Sequence, residues 1–438
     1  MSVRGASRAS FAALTDQLAA ANITSATVAT RLGNELFAVT GLLDTEHGLR
    51  RALSDPGKPA AEGYHLGPVA LRPSLQGGYV SAQNTPLGTP QTVDDQYYAV
   101  EPRLELEAPV SDGRLTASYD ARIRFGSSYS ALNSTSNFLD AGLELPIGSS
   151  LALQVSEHYA SGVLESYEVD PGYEYFFDFG HFQRNLVTAG LRLNSGGRLD
   201  LDVHGSYNDV DVSQDSGFYP YQERSAGASL GYELAPRLRL ALNYDHLQIP
   251  TPAEHPEAGG NSDSIGVSLT GDIAQRLKGE AGFGYERRDT PDAGPGGQSY
   301  RSWIATLSLL RDITRNSSLR LGAGRGPELS SFEDNGFYVS NFVDATLVFQ
   351  LPLQLAAQAG VGYRVNDYQV VASGLQEPRQ DTILGWSGGL GRPLTNWAYV
   401  RVDYRADRRD SNVKEFDGLK TYTFLAQIGI GIFKGRQP

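Results

Sequence analysis

Between residues 114 and 125 the chain changes character at every step. Leu115, Ala117, Tyr119, Ala121, Ile123 and Phe125 are apolar, while Arg114, Thr116, Ser118, Asp120, Arg122 and Arg124 are polar. Successive side chains of a β-strand point to opposite sides, so this segment carries one greasy face and one charged face. The pattern returns further along. Leu199, Leu201, Val203 and Tyr207 alternate with Asp200, Asp202, His204 and Asn208, and Ala398, Val400, Val402 and Tyr404 alternate with Arg401, Asp403 and Arg405. Many such strands, joined by alternately tight and long connections, describe a transmembrane β-barrel.

Periodicity from Gly67 onward gives about eighteen candidate strands, each near the roughly 9 to 13 residues that cross a bilayer at a tilt. Tight connections are expected at 109–113, 147–150, 194–198, 235–237, 273–276, 312–316, 351–353 and 391–396, most of them supplied with the Gly, Asn, Asp or Pro that turns require. Longer polar loops are expected at 81–96, 161–179, 209–221, 248–261, 287–298 and 370–380. Short turns on one rim and long loops on the other fit a barrel whose turns face the periplasm. Tyr159, Tyr207, Tyr244, Tyr285, Tyr363 and Tyr404 all follow a tight turn at similar distance, as an aromatic girdle would. In the last strand, Tyr422, Phe424, Ala426, Ile428, Ile430 and Ile432 alternate with smaller or polar residues before Phe433, and Lys434 to Pro438 extend past it. That ending is similar to the assembly signal of bacterial outer-membrane barrels.

The expected architecture is all-β: an antiparallel up-and-down barrel of about eighteen strands behind a short α-helical N-terminal segment. Its orientation follows from energetics. An Arg or Lys at the bilayer midplane on the lipid face costs about 2 to 4 kcal/mol, so Arg122, Arg239, Arg320 and Arg401 must face inward. Closure is equally demanded, because an unpaired strand edge in hydrocarbon leaves backbone groups without partners. A barrel of that size is too wide for its side chains to fill. The expected lumen lining is Glu105, Glu107, Arg122, Arg124, Asp200, Asp202, Arg239 and Arg401, with both signs of charge.

Composition removes other classes. A formal charge of −13 argues against nucleic acid, whose phosphates would repel the chain. Cysteine is absent, so neither a disulfide framework nor a thiolate metal site is available. No apolar run reaches the roughly 18 to 20 residues of a membrane helix, and the nearest, around Val343 to Val361, is broken by Gln350, Pro352, Gln354 and Gln358.

Signals for catalysis are weak, and neither an enzyme nor a cofactor is expected. Asp209, Asp211, Ser213 and Asp215 have calcium-loop spacing, but Gln214 stands where the turn needs Gly and Pro220 where the bidentate Glu belongs. Asp200, Asp202 and His204 share a strand face and could ligate a metal, although lumen lining accounts for them and no metal is expected. Gly322, Gly324 and Gly326 precede no helix that would hold a phosphate. The 161–179 loop is different: it interleaves Glu165, Glu168, Asp170, Glu174 and Asp178 with Tyr167, Tyr173, Tyr175, Phe176, Phe177 and Phe179. Aromatic faces stack on sugar rings and acids bind hydroxyls, so Tyr173, Tyr175 and Phe177 are candidate saccharide contacts at the channel mouth. The other reading is a loop that folds into the mouth and buries its rings against the wall.

The first sixty residues are of another kind. Phe11, Leu14 and Leu18, then Val28, Leu32, Leu36 and Phe37, then Leu49 and Leu53, follow helical spacing until Pro56, Gly57 and Pro59. No compact apolar stretch with a small-residue cleavage site follows Arg4 and Arg8, so this does not read as a secretory signal. Gly5-Ala6-Ser7-Arg8-Ala9-Ser10, Arg31-Leu32-Gly33-Asn34-Glu35-Leu36-Phe37-Ala38-Val39 and Leu49-Arg50-Arg51-Ala52-Leu53-Ser54-Asp55-Pro56 resemble the N-terminal domain of the ATP synthase delta subunit. From Tyr64, the segment Leu66-Gly67-Pro68-Val69-Ala70-Leu71-Arg72-Pro73-Ser74-Leu75, then Pro102-Arg103-Leu104-Glu105-Leu106 and the strands after it, resemble outer-membrane β-barrel porins often associated with exopolysaccharide loci.

The two resemblances divide the chain into a helical segment, 1–62, and a barrel, 63–438. The second implies the outer membrane of a Gram-negative bacterium, with the lipid bilayer, the barrel-assembly machinery and a saccharide or small solute as partners, and a role as a passive porin-like channel or a barrel in polysaccharide export. The first implies, as an alternative, an ATP synthase stator-like protein. A non-conducting scaffold or adhesin barrel is the third reading.

Overall fold

A strand with one apolar and one charged face needs a backbone partner on each edge, and a row of such strands satisfies both edges throughout only by closing on itself. The computed structural model describes residues 64–86, 92–128, 133–163, 174, 181–194, 197–213, 219–252, 256–292, 297–314, 316–330, 335–372, 375–395, 397–414 and 416–431. The expected helices in 1–62 lie outside them. No helix among the described residues is long and apolar enough to cross a membrane.

Nineteen strands form a single antiparallel sheet. They begin with a stub, β1 (Tyr64–Leu66), followed by β2 (Val69–Pro86), β3 (Thr92–Val110), β4 (Gly113–Phe125), β5 (Ser134–Ile147), β6 (Leu151–Val163) and β7 (His181–Asn194). Next come β8 (Leu199–Val212), β9 (Tyr221–Ala235), β10 (Leu238–Ile249), β11 (Gly260–Ala274), β12 (Leu277–Thr290) and β13 (Gln298–Thr314). The ring is completed by β14 (Ser317–Leu329), β15 (Phe337–Leu351), β16 (Leu355–Tyr368), β17 (Gln380–Thr395), β18 (Ala398–Ser411) and β19 (Leu419–Gly431). Each strand from β2 to β19 pairs with the next in sequence, and β19 returns to β2 in a continuous register from Tyr422↔Gln83 to Gly431↔Ser74. The eighteen full strands therefore make a closed up-and-down barrel. The stub β1 pairs with β2 only from Tyr64↔Leu71 to Leu66↔Val69, extending the edge where β19 stops.

The short connections fall where turn residues stand in the sequence. Arg237 (φ 68°) and Arg276 (φ 62°) take the left-handed conformation beside register shifts at Leu238/Arg239 and Asp272/Ala274, the geometry of a tight turn closed by a bulge. Most of the full strands are longer than the periodicity suggests, reaching 19 residues in β3. At about 3.3 Å per residue the longest reaches some 60 Å, well beyond the bilayer even when tilted. Much of the expected 81–96 loop is consequently strand, with β2 running to Pro86 and β3 starting at Thr92. Polar residues in those extensions lose nothing by continuing the ladder into water, since backbone pairing is indifferent to the side chain's hydropathy.

The two faces separate cleanly over most of the wall. Leu199, Leu201, Val203, Leu240, Leu242, Val400 and Val402 are exposed on the outside, while His204, Asn243, Asp245, Arg401 and Asp403 are buried on the inside. Tyr207, Tyr244, Tyr285, Tyr363 and Tyr404 lie exposed on the outer face, and Tyr98 with Phe125 (5.8 Å) and Phe283 with Trp303 (6.2 Å) stack beside them. Glu157 departs from the rule: its cross-strand partners Ala141 and Val187 place it on the lipid side, where an acid is less costly than a base.

The closing seam has its own device. Tyr399 on β18, Gly429 on β19 and Gln76 on β2 are successive cross-strand partners on the inner face. A side chain at 429 would run into the Tyr399 ring, and its absence lets the ring lie across β19 and donate from its hydroxyl to Gln76 Oε1 at 2.5 Å. Gly429→Val is expected to destabilise the barrel by about 1 to 3 kcal/mol through overpacking, read as a lower unfolding midpoint in lipid vesicles, with Tyr399→Ala restoring part of the loss in the double variant. An unchanged midpoint would show that the clasp does not hold the seam.

Candidate functional site

The inner wall is built from charged pairs laid along the sheet. On β2 to β4, Glu105 accepts from Arg103 at 3.1 Å, and Glu107 stands 3.0 Å from Arg72 and 3.8 Å from Arg114. Arg122 donates to Glu101 at 2.9 Å, and the Arg124 guanidinium sits 5.6 Å from the Tyr97 ring centre. On β7 to β10, Arg239 forks onto Asp200 with its shortest contact at 2.6 Å, and Asp202 lies 3.3 Å from Arg192. Arg401 on β18 pairs with Asp403. Each of the eight residues expected to line the lumen thus lies on the inner face beside a charged or aromatic neighbour.

Glycines make this lattice possible. His204 on β8 and Asp245 on β10 are both direct cross-strand partners of Gly227 on β9, and with no side chain between them His204 Nε2 and Asp245 Oδ1 meet at 2.8 Å. His204 Nδ1 lies 3.2 Å from Asp202, so the Asp200, Asp202 and His204 cluster is engaged with Arg239, Arg192 and Asp245. Among the described residues no group of three or more His, Asp or Glu side chains is arranged to hold a metal. The sequence reading missed the bridge across Gly227; its trace is a glycine inside a strand that is otherwise flanked by charged inner faces.

At the long-loop rim the connections reach inward and meet. Glu174 lies between β6 and β7, yet its Oε1 accepts from the Ser330 hydroxyl, between β14 and β15, at 2.5 Å. Eight strands separate those two connections one way round the ring and ten the other, so the contact joins connections from opposite sides of the ring. The backbone carbonyl of Glu174 also accepts from Arg379 Nη2 at 2.8 Å. Arg379 itself forks onto Asp381, with its shortest contact at 2.6 Å, and covers the Phe416 ring (3.8 Å) and the Tyr368 ring (4.7 Å). Tyr219, between β8 and β9, donates its hydroxyl to the Ser330 carbonyl at 2.6 Å. Asn335 and Val370 exchange two hydrogen bonds, and Gln298 bonds the backbone of Gly336 and Phe337. Glu174, Ser330, Arg379 and Asp381 are all buried.

Beneath this roof the inner face is not uniformly wet. Ala160, Phe182, Val210 and Val212 form a buried cluster with Phe138 and Tyr221 against it, and Tyr300, Phe337 and Val339 form another with Ile304. Tyr300 and Ile304 have the inward parity, opposite to the exposed Trp303, whereas Phe337 and Val339 have the parity of the exposed Val343 and are buried all the same. Tyr173, Tyr175 and Phe177, the candidate saccharide contacts, lie outside the described residues.

A closed antiparallel barrel with an apolar girdled exterior and an ion-paired interior is the architecture of an outer-membrane porin, which places the chain in the outer membrane. The chain belongs to the family described as "Putative beta-barrel porin 2", whose sequence model matches residues 55–426. Among solved structures it is similar to the unliganded ferric citrate transporter FecA (10% identity, TM-score 0.47, covering 81% of this chain and 63% of that one). It is also similar to OpdO of Pseudomonas aeruginosa (14% identity, TM-score 0.46, 83% of this chain and 98% of that one). A third is the ferric enterobactin receptor PfeA of Pseudomonas aeruginosa (9% identity, TM-score 0.41, 85% and 81%). The chain thus spans under two thirds of FecA. No curated protein matches.

Removing Arg379 would leave Asp381 buried with the more distant Arg409, at 3.7 Å, as its cationic partner. Arg379→Ala is therefore expected to cost about 3 to 5 kcal/mol, seen as a lower urea midpoint for the folded barrel, with Arg379→Lys recovering part of it. Equal midpoints for all three proteins would mean the pair contributes nothing to stability.

Proposed function

We propose that this barrel is a passive outer-membrane channel for small hydrophilic solutes, narrowed at its outer mouth by the contacts that converge on Ser330 and Arg379. The observation that carries the reading is the inner wall of paired charges around an eighteen-strand ring, a surface suited to water and dissolved ions and unsuited to a packed core. Mixed signs on the wall favour weak selectivity, tuned by individual residues such as Arg122, Arg239 and Asp200. A channel of this kind uses no enzyme chemistry.

A second reading draws on Glu174. It is held at the mouth by Ser330 and Arg379, and the aromatic and acidic composition of the 161–179 segment supports a saccharide contact at Tyr173, Tyr175 and Phe177 and a link to polysaccharide export. Sugar block of the ion current in the wild type but not in the triple alanine variant is the expected result, and equal block in both would remove this reading.

For the channel itself, the purified protein in a planar bilayer is expected to pass a steady ion current. Glu174→Ala combined with Ser330→Ala is expected to raise the unitary conductance, because the cross-bore contact is lost. Arg239→Gln is expected to shift the reversal potential toward cations, leaving Asp200 unbalanced, and Asp200→Asn to shift it the other way. Absence of current from the folded wild type and from the Glu174/Ser330 variant alike would favour the scaffold reading.

A further inference from the structure

Outside the barrel, just beyond the tyrosine belt, two arginines stand side by side on β12 and β13. Arg287 and Arg301 are direct cross-strand partners, and their side chains are 58% and 59% exposed. They share Asp289, which lies 2.7 Å from Arg287 and 3.8 Å from Arg301. Asp263, the partner of Arg287 on the other side, is bonded to His246 (2.9 Å) and Tyr244 (2.8 Å). Asp289 is thus the acid these two arginines share, while Asp263 is already committed to β10.

Like charges directly opposite on neighbouring strands repel, and the one carboxylate of Asp289 balances only one of the two arginines. Position supplies a reward. Tyr285 and Trp303 are the next outward-facing cross-strand pair toward the bilayer, followed by Phe283, all exposed on the lipid side. Aromatic rings of that kind sit at headgroup level, so the arginines lie where lipid phosphates lie. The guanidinium fork matches phosphate oxygens in pairs, and a second fork opposite it closes a bidentate cradle. We infer that Arg287 and Arg301 form a site for the phosphate headgroup of a lipid in the leaflet at the long-loop rim, its acyl chains descending over Phe283, Ile265 and Val267.

The full-length protein in a non-ionic detergent, titrated with bis-phosphorylated lipid A and followed by native mass spectrometry, provides the test. Wild type is expected to retain the lipid, and the Arg287→Gln/Arg301→Gln variant to bind it roughly ten- to thirtyfold more weakly, with Arg287→Lys/Arg301→Lys in between. The glutamine variant's folded mobility and channel current are expected to match wild type, since neither residue touches the lumen. Equal lipid retention by wild type and a folded glutamine variant would overturn the site. Full competition by inorganic phosphate at millimolar concentration, or equal retention of dephosphorylated lipid A, would overturn the assignment to a lipid headgroup.

Discussion

The structure rests on the pairing of every backbone N–H and C=O across a region where water is absent. An unpaired edge there costs several kcal/mol per group, which is why β19 must find β2 although more than three hundred residues of chain separate them. Once the ring is closed, the period of two in each strand allots half of the side chains to lipid and half to the interior. The apolar exterior and charged interior are thus two consequences of one constraint.

How the interior stays charged without becoming crowded depends on where side chains are missing. Gly227 lets His204 reach Asp245, and Gly429 lets Tyr399 reach Gln76, each contact made over the top of an intervening strand. Such bridges hold long polar side chains flat against the wall. The mouth works on the opposite principle. There, Glu174 meets Ser330 and Arg379, and Tyr219 meets Ser330, contacts between connections far apart round the ring. The same barrel therefore has a wall ordered by neighbouring strands and a constriction ordered by distant ones.

That difference explains what could be read from the sequence. Strand number, the eight tight turns and the inward set from Glu105 to Arg401 were legible because each depends on residues one or two positions apart. The girdle tyrosines were legible through equal distance from a turn. The strand extensions past the bilayer were not, since polar residues that continue a ladder into water look like loop. Nor were the mouth contacts, because Glu174 and Ser330 are 156 positions apart and neither carries a local pattern. Nor were the buried clusters around Phe182 and Phe337, which gather residues from several strands. The resemblance of the first sixty residues to an ATP synthase subunit falls outside both the described residues and nearly all of the family match, which begins at residue 55.

The absence of native cysteine allows the central claim to be tested without background. Single cysteines placed at Leu201, Asp202, Leu242 and Asn243 in the membrane-inserted barrel can be challenged with a charged, water-soluble maleimide and with a lipid-confined quencher of an attached fluorophore. The account predicts that Asp202→Cys and Asn243→Cys react with the aqueous reagent and escape the quencher, while Leu201→Cys and Leu242→Cys do the reverse. Labelling that ignored the alternation, or inverted it, would contradict a barrel whose greasy face meets lipid and whose charged face encloses water.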